Sequence, residues 1–510
     1  MPIQIIDLFA GPGGLGEGFS SVLNAEHQRI FKIKLSIERN KFAHQTLELR
    51  AFFRGFSHRK APDEYYEYLR GNPKITRNVL FDKFEEEAKI SKEEAWLAEL
   101  GKEPVAEVKR RIQAALGRQH EKWVLIGGPP CQAYSLLGRW REKKQSDLFE
   151  KDARHFLYRQ YLQILAVHQP PVFVMENVKG LLSTTVNKER MADRIFSDLR
   201  HPLASTGLGG KGDLEYNFFP LIQKQGALTV DDFDPSNFII HAENLGIPQA
   251  RHRVIILGVR SDWKRKPGKL NNQQSVVTIE DVIGDLPKLR SGLSKEADSN
   301  EAWRSAIQDI VGADWLGDPK ISLEFVEALE KYTYRIGSHL ERGKKFLEEP
   351  VKPAKLSGWF FDPKLKGVCN HETRSHIRAD LHRYFFASVY AKQHKQSPVL
   401  EDFPKALLPL HKNIEAALKK SKFNDRFRVQ VADRPSTTVV SHIAKDGHYY
   451  IHYDPAQCRS LTVREAARLQ TFPDNYYFEG PRTEQYHQVG NAVPPLLAKQ
   501  IAGIVADLFN

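Results

Sequence analysis

Short apolar runs closed by turn residues recur through the first half of the chain, with helix-spaced apolar positions between them. Residues 3–9 predict a strand that opens into Gly11-Pro12-Gly13-Gly14-Leu15-Gly16. Phe19, Val22 and Leu23 follow at helical spacing. Phe31 to Ile37 predicts a second strand ending at Glu38, and a helix follows from about Phe42 to Phe53. Trp123-Val124-Leu125-Ile126, closed by two glycines, reads as a buried strand running into a tight loop. A helix at 155–168, a strand from Val172 to Glu176-Asn177-Val178, a helix over 183–200 and strands at Phe238–His241 and Arg253–Val259 continue the alternation. Strands alternating with helices in this way predict the α/β class.

Two stretches depart from the pattern. Residues 54–118 read as an insertion rich in Glu, Lys and Arg, with helical spacing in Glu85–Leu100 and Val105–Leu116 and Gly117 as a C-cap. Its bland reading is a solvated helical surface. From about residue 261, Pro, Lys and Asn clusters mark a linker into a second, less periodic region. That region carries the basic clusters Lys264-Arg265-Lys266, Arg342-Gly343-Lys344-Lys345 and Lys419-Lys420-Ser421-Lys422. Helical periodicity returns at Val463–Leu469 and from Pro495 to Leu508, and no internal repeat is present.

Composition narrows the class. A length of 510 residues fits two to four domains, and 41% hydrophobic with 27% charged residues describes an ordinary globular protein. No apolar run approaches the ~18 residues of a membrane helix, and Met1-Pro2-Ile3-Gln4-Ile5-Ile6-Asp7 runs straight into a strand rather than a signal peptide. Three cysteines cannot build a disulfide framework, so a reducing compartment is expected. The net charge of +12 favours a polyanionic partner.

Candidate chemistry lies at the strand ends, where open α/β sheets bind ligands. Gly11, Gly13 and Gly16 fit G-x-G-x-x-G between a strand and a helix, and Glu38 closes the second strand where an acid can hold ribose hydroxyls. Alone, this leaves NAD, FAD and S-adenosylmethionine open. Pro129-Pro130 fixes the backbone just before Cys131-Gln132, a rigid mount that suits a nucleophilic thiol. Cys369 lies near His371, His376 and His382, but without a recognised ligand spacing, so no metal is predicted.

Five further segments matter together: Asp7-Leu8-Phe9-Ala10-Gly11-Pro12-Gly13-Gly14-Leu15, Gly128-Pro129-Pro130-Cys131-Gln132-Ala133-Tyr134-Ser135, Glu176-Asn177-Val178, Gln249-Ala250-Arg251-His252-Arg253 and Gln488-Val489-Gly490-Asn491-Ala492-Val493-Pro494-Pro495. In this order they closely resemble the motifs of DNA cytosine-5 methyltransferases of the bacterial restriction–modification type. Ser460 to Gln470 is similar to the family segment preceding the last motif, and the resemblance covers about residues 1–50, 120–260 and 434–510.

The resemblance implies a Rossmann-like, S-adenosylmethionine-dependent methyltransferase domain with a mixed, mostly parallel sheet. It would comprise residues 1–260 and 485–510, with a smaller target-recognition domain and junction at 261–484. It implies S-adenosylmethionine as methyl donor, S-adenosylhomocysteine as product, and double-stranded DNA as substrate. It also implies a monomer in a bacterial cytoplasm, at the nucleoid, serving a restriction or phage-defence system. Cys131 would attack carbon 6 of cytosine, Glu176 would serve ring N3 and the exocyclic amine, and Arg253 with Arg251 would hold O2 and a flanking phosphate. Cofactor contacts would fall to Asp7, Phe9, Ala10, Gly11, Gly13, Gly14, Glu38, Arg39, Pro129, Asn491 and Ala492. Substrate contacts would fall to Gln132, Ser135, Asn177 and Gln249, and Arg374 and Arg378 are the candidate readers in the second region. The target base is stacked in a duplex, so it must flip out. The family's acid after the third strand, which contacts adenine, is obscured by the insertion, with Asp82 as candidate. The rivals are an RNA-directed relative, a silent nucleic-acid-binding protein and a Rossmann oxidoreductase. The last leaves Cys131 unexplained.

Overall fold

The computed structural model describes residues 2–58, 60–117, 121–130, 153–186, 189–209, 214–222, 234–272, 274–337, 339–409, 424–445 and 447–510. Its centre is an eight-stranded sheet. In chain order the strands are β1 (Ile3–Leu8), β2 (Phe31–Glu38), β3 (Ala95–Leu97), β4 (Trp123–Gly127), β5 (Val172–Val178), β6 (Tyr216–Phe219), β7 (Ile239–His241) and β8 (His252–Arg260). They lie in the order β3-β2-β1-β4-β5-β8-β6, with β7 also paired to β8. The five from β3 to β5 are parallel, and β8 runs antiparallel to β5, β6 and β7. Every residue of β4 is buried, as expected of a strand covered on both faces. The strand order reverses between β1 and β4, so the loops after those two strands flank the switch-point crevice where such sheets bind ligands.

Two apolar layers clothe the sheet. On one face Leu15 and Phe19 of α1 (Gly14–Ser20) pack with Leu497, Ile501 and Val505 of the C-terminal helix. On the other, Val108, Ile112, Tyr161, Leu165, Ile195 and Leu199 close the core. The C-terminal helix packs beside α1. A Cβ on Gly14 would lie 2.3 Å from Val493 O, so only glycine permits that approach.

The insertion differs from the expected solvated surface. Helix α2 (Lys41–Gly55) leads into α3 (Asp63–Leu69), α4 (Arg77–Lys83) and α5 (Glu85–Glu94), then β3 and α6 (Val105–Leu116). Phe52, Tyr65, Tyr66, Leu69 and Phe81 form a buried cluster with Leu365 and Cys369 of the second region. Tyr66 Oη donates to Asp362 (2.8 Å) and Arg77 pairs with Glu479 (2.9 Å). The insertion therefore braces the second region against the sheet. The stretch read as helix over Glu85–Leu100 ends early, because its last residues form β3 beside β2. The helix read over 183–200 also starts late: Thr185–Val186 and Glu189–Arg190 pair as a hairpin, and the helix is Met191–Arg200.

The second region holds two further apolar clusters, one around Trp303, Phe386 and Phe403, the other around Ile279, Tyr450 and Phe472. The helix Val463–Leu469 lies in the second of these clusters and is buried along its whole length although it carries two arginines and a glutamate. Glu465 accepts from Arg459 through both oxygens (2.8 and 2.7 Å), and Arg468 reaches Asp474 (2.8 Å). Arg464 donates to the carbonyls of Cys369, Pro473 and Tyr476. Fully paired, these charges tolerate burial. No helix among the described residues is long and apolar enough to cross a membrane.

Burial also lowers the pKa of three histidines here: His371 to about 4, His376 to about 3, and His452, whose neighbour Arg459 adds to the effect. Their unfolded value is near 6.5, so the unfolded chain takes up protons first. Their stabilisation is complete above about pH 6.5 and is lost as pH falls towards the folded values. We expect a loss of roughly 2 kcal/mol per histidine between about pH 7.5 and pH 5. Urea unfolding at the two pH values checks this, and a midpoint unchanged or raised at pH 5 would contradict it.

Candidate active site

The end of β1 carries the first half of the site. Phe9 holds φ at 55°, unusual for a bulky residue and typical of strained functional turns. The glycine loop that follows is tied to the next strand: Glu38 Oε2 accepts from Gly11 N (2.8 Å) and Oε1 from Asn40 N (2.7 Å). Asn40 in turn caps α2, its side chain accepting from Phe42 N and Ala43 N. The Ala10 N–H is taken by Ile37 O (3.1 Å). Above Gly11 lies open space, with nothing within 4 Å of a Cβ placed there. Asn491 is exposed at the end of the helix Arg482–Asn491, and the Ala492 carbonyl that follows is held by Arg251.

Asp7 departs from the sequence reading. It is 1% exposed, beneath α1, and neither carboxylate oxygen has a hydrogen-bond partner among the described residues. Burial drives its carboxyl well above the usual range. It underlies the loop and cannot reach a ligand in the crevice. Arg39 is exposed and pairs with Glu99 (3.4 Å).

Sequence reasoning missed what supports this loop. Glu17 of α1 and Arg50 of α2 form a buried pair, with Arg50 Nε donating to Glu17 Oε2 (2.9 Å) and Nη1 to Asn475 Oδ1 (3.0 Å). Burial alone would raise the Glu17 carboxyl, but the Arg50 guanidinium overrides it and holds it low. Tyr476 Oη donates to Pro12 O, pinning the loop from the second region. The available signal was an arginine on the buried face of α2 and an acid inside a glycine-rich helix. Arg50→Met should leave Glu17 only its longer contact to Arg54 (3.6 Å) and cost about 3 kcal/mol. Chemical denaturation checks this, and a loss below about 1 kcal/mol would contradict it.

The second half lies at the ends of β4 and β5. Pro129 is buried, and its carbonyl accepts from Asn177 Nδ2 (3.3 Å). A Cβ on Gly128 would meet Glu176 Oε2 at 3.1 Å, so the glycine leaves room for that carboxylate beside the loop. Glu176 Oε1 lies 2.9 Å from Arg253 Nε, and both side chains are largely buried. Glu176 and Arg253 thus meet at the strand ends beside Gly128, which lies three residues before Cys131 in the chain. Cys131, Gln132 and Ser135 lie outside the described residues, as does the basic cluster at 419–422.

Several expected contacts are occupied otherwise. Arg251 is 2% exposed and donates to Val439 O (2.9 Å) and Ala492 O (2.8 Å), while burial and the adjacent Arg253 lower its pKa. Gln249 is fully buried, donating to Leu469 O (3.1 Å) and accepting from Val439 N (2.9 Å). Both clamp the junction to the sheet, so Arg253 alone of the three reaches the site. Asn177 holds the Pro129 loop instead of facing substrate. Arg374 lies 4.0 Å over the Tyr486 ring and donates to Ile443 O. Arg378 is paired with Glu296 (2.8 Å) and Asp309, an ordinary surface ion cluster. Asp82 sits on α4 in a groove with Lys89, Lys92 and Arg111, whereas the acid that follows β3 is Glu99. Cys369 and Cys458 are buried with raised thiol pKa values, Cys369 to about 12, so neither is a ready nucleophile.

The comparisons agree with this geometry. The model of the C-5 cytosine-specific DNA methylase family matches residues 100–201 and 227–506. Type II methyltransferase M.Bpa9945I of Bacillus paralicheniformis is 33% identical over 99% of this chain and 99% of its own. Type II methyltransferase M.AgeI of Thalassovita gelatinovora is 28% identical over 74% of this chain and 81% of its own. The DNA (cytosine-5-)-methyltransferase M.ApeKI of Aeropyrum pernix is 26% identical over 76% and 81% respectively. With a mixed, mostly parallel sheet that carries the glycine loop at its switch point and the Glu176–Arg253 pair at the neighbouring strand ends, the chain belongs to the C-5 cytosine-specific DNA methylase family.

Proposed function

We propose that the protein methylates carbon 5 of a cytosine flipped out of duplex DNA, using S-adenosylmethionine and a transient bond from Cys131 to carbon 6. The observation that carries this is the Glu176–Arg253 pair at the strand ends, beside the Gly128-Pro129-Pro130 loop that leads into Cys131. Bound S-adenosylmethionine supplies an electrophilic methyl group. The residues present fit it: open space lies above Gly11, and Glu38 fixes the loop with lone pairs left for ribose hydroxyls. Glu99, immediately beyond β3 and beside Arg39, is the acid best placed for the adenine end.

The chain's own residues then divide the chemistry. The Cys131 thiolate adds to carbon 6, and the electron pair of the ring double bond moves towards carbon 5. Glu176 holds a proton at N3 and accepts from the exocyclic amine, while Arg253 neutralises charge at O2. Once carbon 5 carries the methyl group, loss of its proton to a base, with water as candidate, restores the double bond and expels the thiolate. Arg251 and Gln249 position this machinery by holding the junction against the sheet.

Relatives named type II methyltransferases suggest a restriction–modification setting with a cognate nuclease. The experiment is to incubate the protein with methyl-labelled S-adenosylmethionine and mixed-sequence duplex DNA, then map modified bases. Label at carbon 5 of cytosine within one short context supports the proposal. Label in tRNA alone would move the same chemistry to RNA, and hydride transfer with NAD would revive the oxidoreductase.

A further inference from the structure

Outside the pocket just described, β7 and β8 bring together a group the motif-based reading did not flag. His241 and His252 are directly opposed across the antiparallel pair, their rings 3.9 Å apart between centroids. Glu243 follows one residue beyond β7, in the turn Ala242–Leu245, and its Oε1 lies 2.7 Å from His252 Nε2 and 3.8 Å from His241 Nδ1. One ligand atom from each residue falls within 4.8 Å of the others. We propose that His241, Glu243 and His252 form a site for a divalent transition metal of the zinc class.

Two observations support it. First, two imidazoles and one carboxylate are the donor set that zinc-class ions select, in a three-ligand arrangement that leaves a position open. Tetrahedral coordination with bonds of about 2.0–2.1 Å needs ligand atoms about 3.3 Å apart, which small side-chain rotations achieve from the spacings here. Second, Glu243 Oε2 is buried without a hydrogen-bond partner among the described residues, the kind of orphan atom that an ion or water accounts for. Lys179 opposes a cation, and the Glu243 carboxylate offsets it.

The site sits at the catalytic edge of the sheet. His252 immediately precedes Arg253, and alternation along β8 turns the two side chains to opposite faces. A bound ion would therefore fasten β7 to the start of β8 without entering the crevice, steadying the strand that presents Arg253.

The test is a Co2+ titration of metal-free, untagged, full-length protein, read by visible absorption. The expected result is one equivalent bound with the d–d spectrum of a four-coordinate nitrogen and oxygen site, and no thiolate charge-transfer band. His241→Ala and Glu243→Gln should each weaken binding by at least about tenfold. Circular dichroism confirms that both variants fold, and Glu243→Gln, nearly isosteric, keeps the test open if the alanine variant does not. Absence of stoichiometric binding, unchanged binding in a folded variant, or a thiolate band marking a cysteine site would overturn the proposal.

Discussion

Cys131→Ser is expected to abolish methyl transfer, with a loss on the order of 10⁴-fold or more in kcat. The reason is the nucleophile itself. A thiol with a pKa near 8.5 is a few per cent ionised at neutral pH and intrinsically reactive, whereas a serine hydroxyl is scarcely ionised at all. The other two cysteines cannot substitute, since Cys369 and Cys458 are buried with raised pKa values. Binding of S-adenosylmethionine and of duplex DNA should survive, because the cofactor loop is held by Glu38, Tyr476 and the Glu17–Arg50 pair. Single-turnover kinetics and equilibrium binding measure the two halves separately. Turnover within tenfold of wild type would remove Cys131 as nucleophile.

Glu176→Gln should have the second largest effect, a fall in kcat of about 10²–10⁴-fold with a smaller change in KM. The amide keeps the shape and the packing beside Gly128 but can neither hold a proton at N3 nor balance Arg253 at 2.9 Å. Because Arg253 is largely buried, the loss of its partner also has a structural cost, so the unfolding midpoint must be measured alongside. A kcat within threefold of wild type, in a variant of unchanged stability, would refute the assigned role. Glu176→Ala should be worse on both counts.

The sheet was legible because its strands are strong signals. β1, β4, β5 and β8 are largely apolar runs closed by polar or glycine-rich turns, as strands covered on both faces read, and β2 alternates apolar with polar residues. β3 was not legible: three residues, Ala95–Leu97, follow an acidic helix and gain strand character only from pairing with β2. Missing it hid Glu99 and sent attention to Asp82. The same limit applied to the charged motifs. Gln249, Arg251 and Arg253 alternate along one segment and look alike in sequence, yet two are consumed by backbone groups of the junction and one meets Glu176. Arg374 and Arg378 are also held by protein partners. Which side of a fold an arginine serves depends on the carbonyls and carboxylates that tertiary contact brings to it, and local periodicity carries no record of those.

The most direct test of the central claim uses a duplex carrying 5-fluorocytosine in place of the cytosine that the protein methylates, incubated with S-adenosylmethionine. Fluorine cannot leave carbon 5 as a cation, so the final elimination stops and the bond from carbon 6 to the enzyme persists. A denaturation-resistant complex is expected, its mass equal to protein plus DNA plus one methyl group, with the modified peptide carrying its label on Cys131. An adduct on any other residue, or no adduct with a duplex whose unfluorinated form is methylated, would contradict it.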